Sequence, residues 1–285
     1  MLVDLAEVIT TDGISLSGAY FEAKDHADLE ADCLVYYHGD GGNFYSNLLR
    51  KLGSMFSENG LSFLAANRRG HDMVATGPKA GTFRGYSFES VHDSLIDTAA
   101  WLTFLKDKGH QKIALGGHSG GAVRATYAQA NKHFDDVTAV VSVSPGEYNF
   151  DKIVEIHGET FLRPYRSSER NISSGNPDVF LRPTVPWDSM WTARTYVDCF
   201  NRDNRYSVST HSRNTEVPTL YVFGGKESEI GGEEELPVCG LAMRTLRELG
   251  HSHTTVEVVE GANHGYIDRE KVLMSVILQF LKTPT

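Results

Sequence analysis

A tight glycine turn joins an apolar segment directly to a helix-forming segment near the middle of the chain. The apolar run at 113–115 leads into Gly-His-Ser-Gly-Gly at 117–121, and good helix formers follow at 122–130. A G-x-S-x-G turn in this context forces its central residue into strained backbone geometry and lifts its side chain clear of the sheet. The turn therefore predicts that Ser119 is a nucleophile at a helix N-terminus, where backbone N–H groups stabilise an oxyanion.

Short apolar segments alternate with amphipathic segments along most of the chain. Strands at 3–10 and 14–21 flank Thr11-Asp12-Gly13, which is a hairpin signal. Further strands are predicted at 33–37, 61–66, 113–116, 137–144, 219–223 and 255–259. Helices are predicted at 44–58, 87–108, 120–133, 234–249 and 269–281, with a capping box at Ser90 and Asp93. The alternation predicts an α/β fold whose mostly parallel sheet is covered on both faces and led by an antiparallel hairpin.

Residues 146–213 interrupt this alternation and are rich in aromatic side chains. We therefore predict a core formed by 1–145 and 214–285, with a helical cap inserted at 146–213. An insertion after the strand that follows the nucleophile helix emerges at the carboxyl ends of the strands, where open α/β sheets bind ligands. Because aromatic side chains need apolar surface to bury, Trp187 or Trp191 is predicted to line the pocket, and both are candidate substrate-binding residues.

The composition argues against several functional classes. A net charge of −10 argues against a nucleic-acid partner. No apolar run approaches the length that spans a bilayer, and the N-terminus lacks the basic start and long apolar core of a secretory signal. Three widely spaced cysteines, Cys33, Cys199 and Cys239, fit reduced thiols better than a disulfide framework. We therefore expect a cytoplasmic protein that binds neither nucleic acid nor membrane, and the sequence indicates no particular oligomeric state.

A serine nucleophile needs a base, and the base needs an acid that orients it. In this architecture both partners follow the serine, with the acid before the histidine. His264 lies between the last strand and the last helix and is the predicted base. The acid is expected after the penultimate strand, where Glu227 is the first choice and Glu229 the second. Glu147, just after the strand that precedes the insert, stays open as a third choice.

An oxyanion hole needs two backbone N–H groups that point at one place. The N–H of Gly120, next to the nucleophile, is the first predicted donor. The second is expected from the glycine-rich segment 38–42, with Asp40 as the first choice and Gly41 as the alternative. His38 begins that segment and is predicted to shape the pocket and contact the substrate.

These motifs together resemble the α/β-hydrolase superfamily across nearly the whole chain. The more particular matches are HGDGGNFY at 38–45, NRRGHD at 67–72, GHSGG at 117–121, GNPDVF at 175–180, VFGGKE at 222–227 and EGANHGY at 260–266. This combination resembles a subgroup of serine esterases related to fungal siderophore esterases. Two departures stand out. Gly120-Gly121 stands where related enzymes often carry Leu-Gly or Met-Gly, which leaves more room behind the serine, and Glu227 stands where Asp is commoner.

The predicted cap also has its own charge signature. Residues 160–213 contain eight arginines, no lysine and five acids, a net charge of +3, so the rest of the chain carries −13. Arginine suits bidentate contacts with carboxylate or phosphate. One interpretation is a basic, aromatic roof over a pocket for an anionic or bulky substrate. The other is a cap whose arginines form ion pairs with the acidic core.

The sequence therefore predicts a carboxylic ester hydrolase that acts on a small-molecule ester and forms an acyl-enzyme on Ser119. No metal or organic cofactor is expected, because no Cys or acid cluster accompanies the neighbouring His251 and His253. Thioester, lactone, amide and carbon–carbon substrates stay open within the same mechanism. A non-catalytic ligand-binding member of the same fold is the alternative from a different class.

Overall fold

The structure is a computed structural model that describes residues 3–227 and 236–282. Eight strands in these residues form one sheet in the order β1-β2-β4-β3-β5-β6-β7-β8. These strands are β1 Asp4–Ile9, β2 Ser15–Phe21, β3 Cys33–Tyr37, β4 Ser62–Ala66, β5 Ile113–His118, β6 Val137–Val143, β7 Thr219–Gly224 and β8 Thr254–Val259. The strand β2 is antiparallel to both β1 and β4, and all other neighbours in the sheet are parallel. The predicted mostly parallel sheet with an antiparallel N-terminal hairpin is confirmed.

Helices cover both faces of the sheet. They are α1 Asn47–Glu58, α2 Ser94–Asp107, α3 Gly120–Lys132, α4 Phe150–His157, α5 Glu159–Ser173, α6 Ala193–Cys199, α7 Val208–His211, α8 Pro237–Leu249 and α9 Glu270–Lys282. Apolar side chains of α1 and α9 pack on one face, whereas α2, α3 and α8 pack on the other. The strand β7 shows the alternation that this requires, since Leu220 and Val222 face α1 and α9 while Tyr221 and Phe223 face α3 and α8.

Two predicted helices begin later in the chain than their apolar periodicity suggests. The helix predicted at 44–58 begins at Asn47, because the chain still turns through the preceding residues. The helix predicted at 87–108 is divided into the 3₁₀ turns Tyr86–Phe88 and Val91–Asp93, followed by α2. The predicted capping box is present, since Ser90 has an extended backbone and its N–H donates to Asp93 at 3.0 Å.

Residues 146–213, called the insert below, lie between β6 and β7 and contain α4 to α7. Two short antiparallel strands, Phe180–Leu181 and Trp191–Thr192, pair within it. Its aromatic side chains form one buried cluster with Val123 and Tyr127 of α3 and with side chains of α8. The insert is therefore packed on the helix that begins at the serine turn.

None of the helices in the described residues combines the length and the apolar character that crossing a lipid bilayer requires.

Candidate active site

Four loops carry the predicted site residues, and each follows the carboxyl end of a parallel strand. Segment 38–42 follows β3, Ser119 follows β5, Glu227 follows β7 and His264 follows β8. Parallel strands present their carboxyl ends at the same edge of a sheet, so these loops meet there. A cavity of about 550 Å³ opens between them, and Ser119, His264 and Asp40 all line it.

A larger cavity of about 890 Å³ lies elsewhere, between β8 and α9. Thr255, Val276 and Phe280 are among the residues that line it, and it touches none of the four loops described above. Volume alone therefore does not decide which cavity is the candidate site. The loops that carry the predicted site residues converge on the smaller cavity.

The serine turn has the strained backbone that the motif predicts. Ser119 has φ 55° and ψ −125°, a left-handed conformation that side-chain-bearing residues rarely adopt. A Cβ atom on Gly121 would lie 2.7 Å from the carbonyl oxygen of Tyr37, and one on Gly117 would collide with the backbone of Gly121. The Ser119 N–H donates to Val143 at 2.8 Å, so the turn is tied to the neighbouring strand. The helix α3 begins immediately after it, at Gly120.

His264 and Glu227 form a hydrogen-bonded pair. The Nδ1 atom of His264 contacts Oε2 of Glu227, whose side chain is fully buried. The other carboxylate oxygen accepts the Gly224 N–H at 2.7 Å and contacts the hydroxyl of Ser144. Burial raises the pKa of Glu227, but the hydrogen bonds and charge of its partners, His264 foremost, bring that pKa below its ordinary value. Glu227 is therefore ionised and orients the imidazole through Nδ1.

The other two candidate acids do not make this contact. Glu147 is buried, but its Oε2 accepts the Ser209 N–H at 3.1 Å, within the insert. Burial raises the pKa of Glu147, whereas that of Glu227 is lowered. Glu229 lies outside the described residues. Of Glu227 and Glu147, Glu227 is the one that the fold brings to the histidine.

Two further histidines support the site without titrating near neutral pH. His118 Nε2 donates to the backbone oxygen of His264 at 2.7 Å, which holds the loop of the candidate base. Burial and the nearby His264 charge lower the pKa of His118 to about 4. His38 lines the cavity, and its Nδ1 lies 2.8 Å from the oxygen of Gly39. Burial lowers the pKa of His38 well below its ordinary value. Both imidazoles are therefore neutral.

The segment 38–42 lies directly against the serine turn. A Cβ atom on Gly39 would lie 3.2 Å from Cβ of Ser119, and Gly41 has φ +66°, which favours glycine. The N–H of Gly42 is used within the segment, where it donates to Gly39 at 3.1 Å. The Asp40 carboxylate lies against Gly120, so a Cβ atom on Gly120 would collide with it. The two predicted oxyanion donors, Asp40 and Gly120, are thus neighbours in space. The Asp40 carboxylate also fills the extra room that the sequence predicts behind the serine.

Comparison with known proteins identifies the fold. No protein-family model and no curated protein matches the chain. One similar solved structure is the α/β hydrolase GrgF from Penicillium sp. sh18, with 15% sequence identity and a TM-score of 0.70 over 99% of this chain and 98% of that one. Est1E from Butyrivibrio proteoclasticus with ferulic acid bound has 18% identity and a TM-score of 0.66 over 96% of this chain and 97% of that one. The Pf2001 esterase from Pyrococcus furiosus has 16% identity and a TM-score of 0.61 over 98% of this chain and 90% of that one. This chain has the α/β-hydrolase fold. At this level of identity the likeness establishes the fold alone, so the subgroup resemblance to siderophore esterases stays a prediction.

In this α/β-hydrolase fold the two predicted pocket tryptophans have different positions. Trp187 lines the cavity beside Tyr148, with 5.6 Å between the ring centroids. Trp191 is not among the residues that line it, so of the two candidates Trp187 is the one at the cavity. The side chain of Trp191 is fully buried against Tyr86, Trp187 and Phe200, because the short strand that contains it is folded into the aromatic cluster of the insert. Trp191 therefore packs the insert, and Trp187 forms the cavity wall.

The insert has eight arginines, and the sequence leaves open whether they form a basic pocket roof or pair with the acidic core. Five of them form half-exposed ion pairs with acids of the same insert: Arg166–Glu159, Arg182–Asp188, Arg194–Asp178, Arg202–Glu169 and Arg205–Asp198. No lysine or arginine is present among the described residues that line the cavity. The basic roof over the pocket is therefore absent from the described part of the chain, and these five partners do not belong to the core.

One trio in the described part of the chain has the residue types of a metal site. Ligand atoms of Glu227, Cys239 and His264 lie within 4.8 Å of one another. Glu227 and His264 are already hydrogen-bonded to each other, and burial and the Glu227 charge raise the pKa of the Cys239 thiol well above its ordinary value. The trio therefore fits an acid–base pair with an adjacent thiol better than a metal centre.

A buried charged cluster behind the serine turn is not apparent from the sequence motifs. Arg68, Arg124, Glu89 and the carboxylate of Asp40 contact one another there. One signal was available, since Arg124 is the only charged residue in an early helix segment otherwise made of small, apolar and neutral residues. A long cation on a helix that is buried on nearly all sides requires an anionic partner inside the fold.

Proposed function

We propose that this protein is a serine carboxylic ester hydrolase whose catalytic residues are Ser119, His264 and Glu227. The observation that carries the proposal is the strained Ser119, which shares one cavity with His264, whose imidazole is hydrogen-bonded to the buried Glu227. A strained serine at a helix N-terminus and an oriented imidazole are what nucleophilic acyl transfer needs. An alkyl-enzyme mechanism on haloalkanes or epoxides would require an acid at position 119, so it is disfavoured.

The proposed reaction proceeds in two halves. The Ser119 hydroxyl attacks the ester carbonyl carbon while Nε2 of His264 accepts its proton. The resulting oxyanion accepts hydrogen bonds from the N–H groups of Gly120 and Asp40, and Glu227 stabilises the imidazolium through Nδ1. The alcohol leaves with the proton from Nε2, and water then hydrolyses the acyl-enzyme by the same steps.

The walls of the cavity favour a neutral substrate with an apolar or aromatic group. Leu48, Tyr148, Trp187, Val238 and Ile267 line it, and its described lining has no cation to hold an anionic substrate. Ferulic acid, an aromatic acid, is bound in the similar structure of Est1E. We propose that the insert is a cap whose Trp187 contacts the group on one side of the ester bond.

An ester panel tests this proposal. It comprises p-nitrophenyl acetate, butyrate and octanoate, together with methyl ferulate and a siderophore-type ester. We expect turnover of the neutral esters, and we expect Ser119→Ala to lower kcat roughly 10³-fold or more while circular dichroism stays native. A folded Ser119→Ala variant that keeps a tenth of the activity would overturn the assignment. Absence of turnover for all esters, with hydrolysis of a thioester or lactone, would change the substrate class and keep the mechanism.

A further inference from the structure

The residue after the candidate nucleophile has no side chain, and a carboxylate occupies the space that this leaves. The Asp40 carboxylate lies against Gly120 so closely that no Cβ atom fits there. Asp40 is also the residue whose N–H is the second proposed oxyanion donor. The placement of this carboxylate and the direction of that N–H are therefore coupled through one short residue.

Two buried arginines donate to the same oxygen of the Asp40 carboxylate. Arg124 of α3 donates to Oδ1 of Asp40 at 3.3 Å and to the oxygen of Gly120 at 2.9 Å. Arg68, which follows β4, donates to the same Oδ1 at 2.9 Å and to the oxygen of Gly39 at 3.3 Å. Each guanidinium therefore joins the oxyanion loop to another part of the fold, and Arg124 joins it to the serine turn itself.

A second carboxylate balances the charge of this cluster. Glu89 contacts both Arg68 and Arg124, and the side chains of these three residues are only 1–3% exposed. The hydroxyl of Tyr148 donates to the other oxygen of Asp40 at 3.2 Å. Two guanidinium groups and two carboxylates sum to zero charge, which makes burial of the whole cluster tolerable, whereas loss of one member leaves an unpaired buried charge.

The arrangement excludes a role for Arg68 and Arg124 in holding an anionic substrate. Neither Arg68 nor Arg124 lines the cavity, and both guanidinium groups are engaged by Asp40, Glu89 and backbone oxygens. Tyr148 and Asp40 are the members that reach the cavity wall. The cluster thus acts on the reaction through the position of the oxyanion loop.

We infer that Arg68, Arg124, Glu89 and Asp40 form a clamp, called the arginine clamp here, that fixes the Asp40 N–H toward the developing oxyanion. This inference rests on the proposed function. Arg68, Arg124 and the Asp40 carboxylate are positioning residues, because they act through the backbone of segment 38–42. The interaction is needed mainly when negative charge develops on the carbonyl oxygen, so its loss lowers kcat and leaves KM nearly unchanged.

Three variants disturb the clamp in different ways. Asp40→Asn removes the charge at nearly constant shape, Arg124→Gln removes one guanidinium, and Gly120→Ala displaces the carboxylate while every charge stays in place. Arg69→Gln is the matched control. Arg69 is the adjacent arginine and pairs with Asp97 at 2.8 Å and Asp12 at 2.7 Å, away from the serine turn.

Kinetics and covalent labelling of the folded variants test the inference. We expect Asp40→Asn and Gly120→Ala to lower kcat on the best p-nitrophenyl ester about 10²-fold, with KM changed less than threefold, as for loss of one oxyanion donor. Their reaction with a fluorophosphonate, whose phosphoryl oxygen uses the same donors, slows in parallel. The Arg69→Gln control keeps both rates within threefold of the wild type.

The outcomes separate the clamp from the proposed function. A rise in KM at constant kcat, or a loss no larger than in the Arg69→Gln control, overturns the clamp. If Arg124→Gln does not fold, Asp40→Asn and Gly120→Ala still decide. If the wild type reacts with fluorophosphonate but hydrolyses no ester, the ester function fails and the labelling rates alone judge the clamp. A wild type inert to both refutes the function and the clamp together.

Discussion

The charge states of Glu227 and His118 are fixed by their surroundings. Glu227 is kept ionised in a buried place by His264, by the Gly224 N–H and by the Ser144 hydroxyl. His118 is kept neutral by burial while it holds the backbone of His264. A single substitution among these residues therefore changes the protonation or orientation of another residue as well as its own contacts.

The first residue-scale prediction concerns the acid. Glu227→Gln should lower kcat about 10³-fold or more, because an amide cannot stabilise the imidazolium and can hold the histidine in the wrong tautomer. Glu147→Gln is the matched control, since Glu147 is equally buried but bonded to Ser209. Steady-state kinetics of both purified variants provide the measurement. A larger loss in Glu147→Gln than in Glu227→Gln would contradict the assignment.

The second residue-scale prediction concerns stability at acid pH. The pKa of His118 is about 4 in the folded state and 6.5 ordinarily, so the unfolded chain takes up a proton first as the pH falls. This group alone therefore lowers the free energy of unfolding by up to about 3 kcal/mol between pH 6.5 and pH 4, and contributes no such loss above that window.

Urea unfolding of the wild type and His118→Gln across that window measures this effect. Glutamine keeps an N–H that can reach the backbone oxygen of His264 but does not titrate. The variant should therefore lose less stability than the wild type as the pH falls from 6.5 to 4. Parallel curves for the two proteins would show that His118 does not carry the effect.

Among the elements, the insert combines two functions in one aromatic cluster. It packs on α3 and α8, and it also supplies one wall of the cavity through Trp187 and Tyr148. Trp187 is partly exposed toward the cavity, whereas Trp191 is buried in the cluster. The two tryptophans therefore separate the contribution of the insert to selectivity from its contribution to stability.

Alanine at each position tests this separation. Trp191→Ala should lower the free energy of unfolding by about 3–5 kcal/mol, because a large buried side chain is removed. Trp187→Ala should cost less stability and change the ratio of kcat/KM between the octanoate and acetate esters at least about tenfold. Chemical denaturation and the ester panel measure the two effects. Unaltered selectivity in Trp187→Ala would leave the insert as packing only.

At the scale of the whole molecule, the sheet and its active edge could be predicted because their signals are local. The strand, the glycine turn at Ser119 and the following helix are consecutive in the chain, and alternation of apolar segments defines the remaining layers. The rule that parallel strands end at one edge predicted that an acid from a neighbouring loop meets His264, with Glu227 as the first choice. No long-range side-chain packing was needed for any of these steps.

The predictions about the site that were wrong or stayed open depend on where a side chain points. Glu227 and Glu147 both follow strands at the same edge, and only the packing of α7 shows that Glu147 turns toward Ser209. Trp187 and Trp191 lie four residues apart, and the strand that contains Trp191 is only two residues long. Periodicity therefore cannot distinguish the tryptophan in the cavity wall from the one in the interior. The number of arginines in the insert predicts its charge but not where the side chains lie. Five of them pair with acids of the insert, and none lines the cavity.

We propose that Ser119 is the nucleophile and that His264 activates it. Labelling that identifies the modified residue is the most direct test. The intact wild type is treated with a fluorophosphonate and the modified peptide is sequenced by mass spectrometry, with Ser119→Ala and His264→Ala treated in parallel. If Ser119 is the nucleophile, we expect one adduct in the wild type, on Ser119, and no adduct in Ser119→Ala. The labelling rate of His264→Ala should be at least about 10²-fold lower than that of the wild type. A label on another residue, or wild-type labelling in Ser119→Ala, would contradict this proposal.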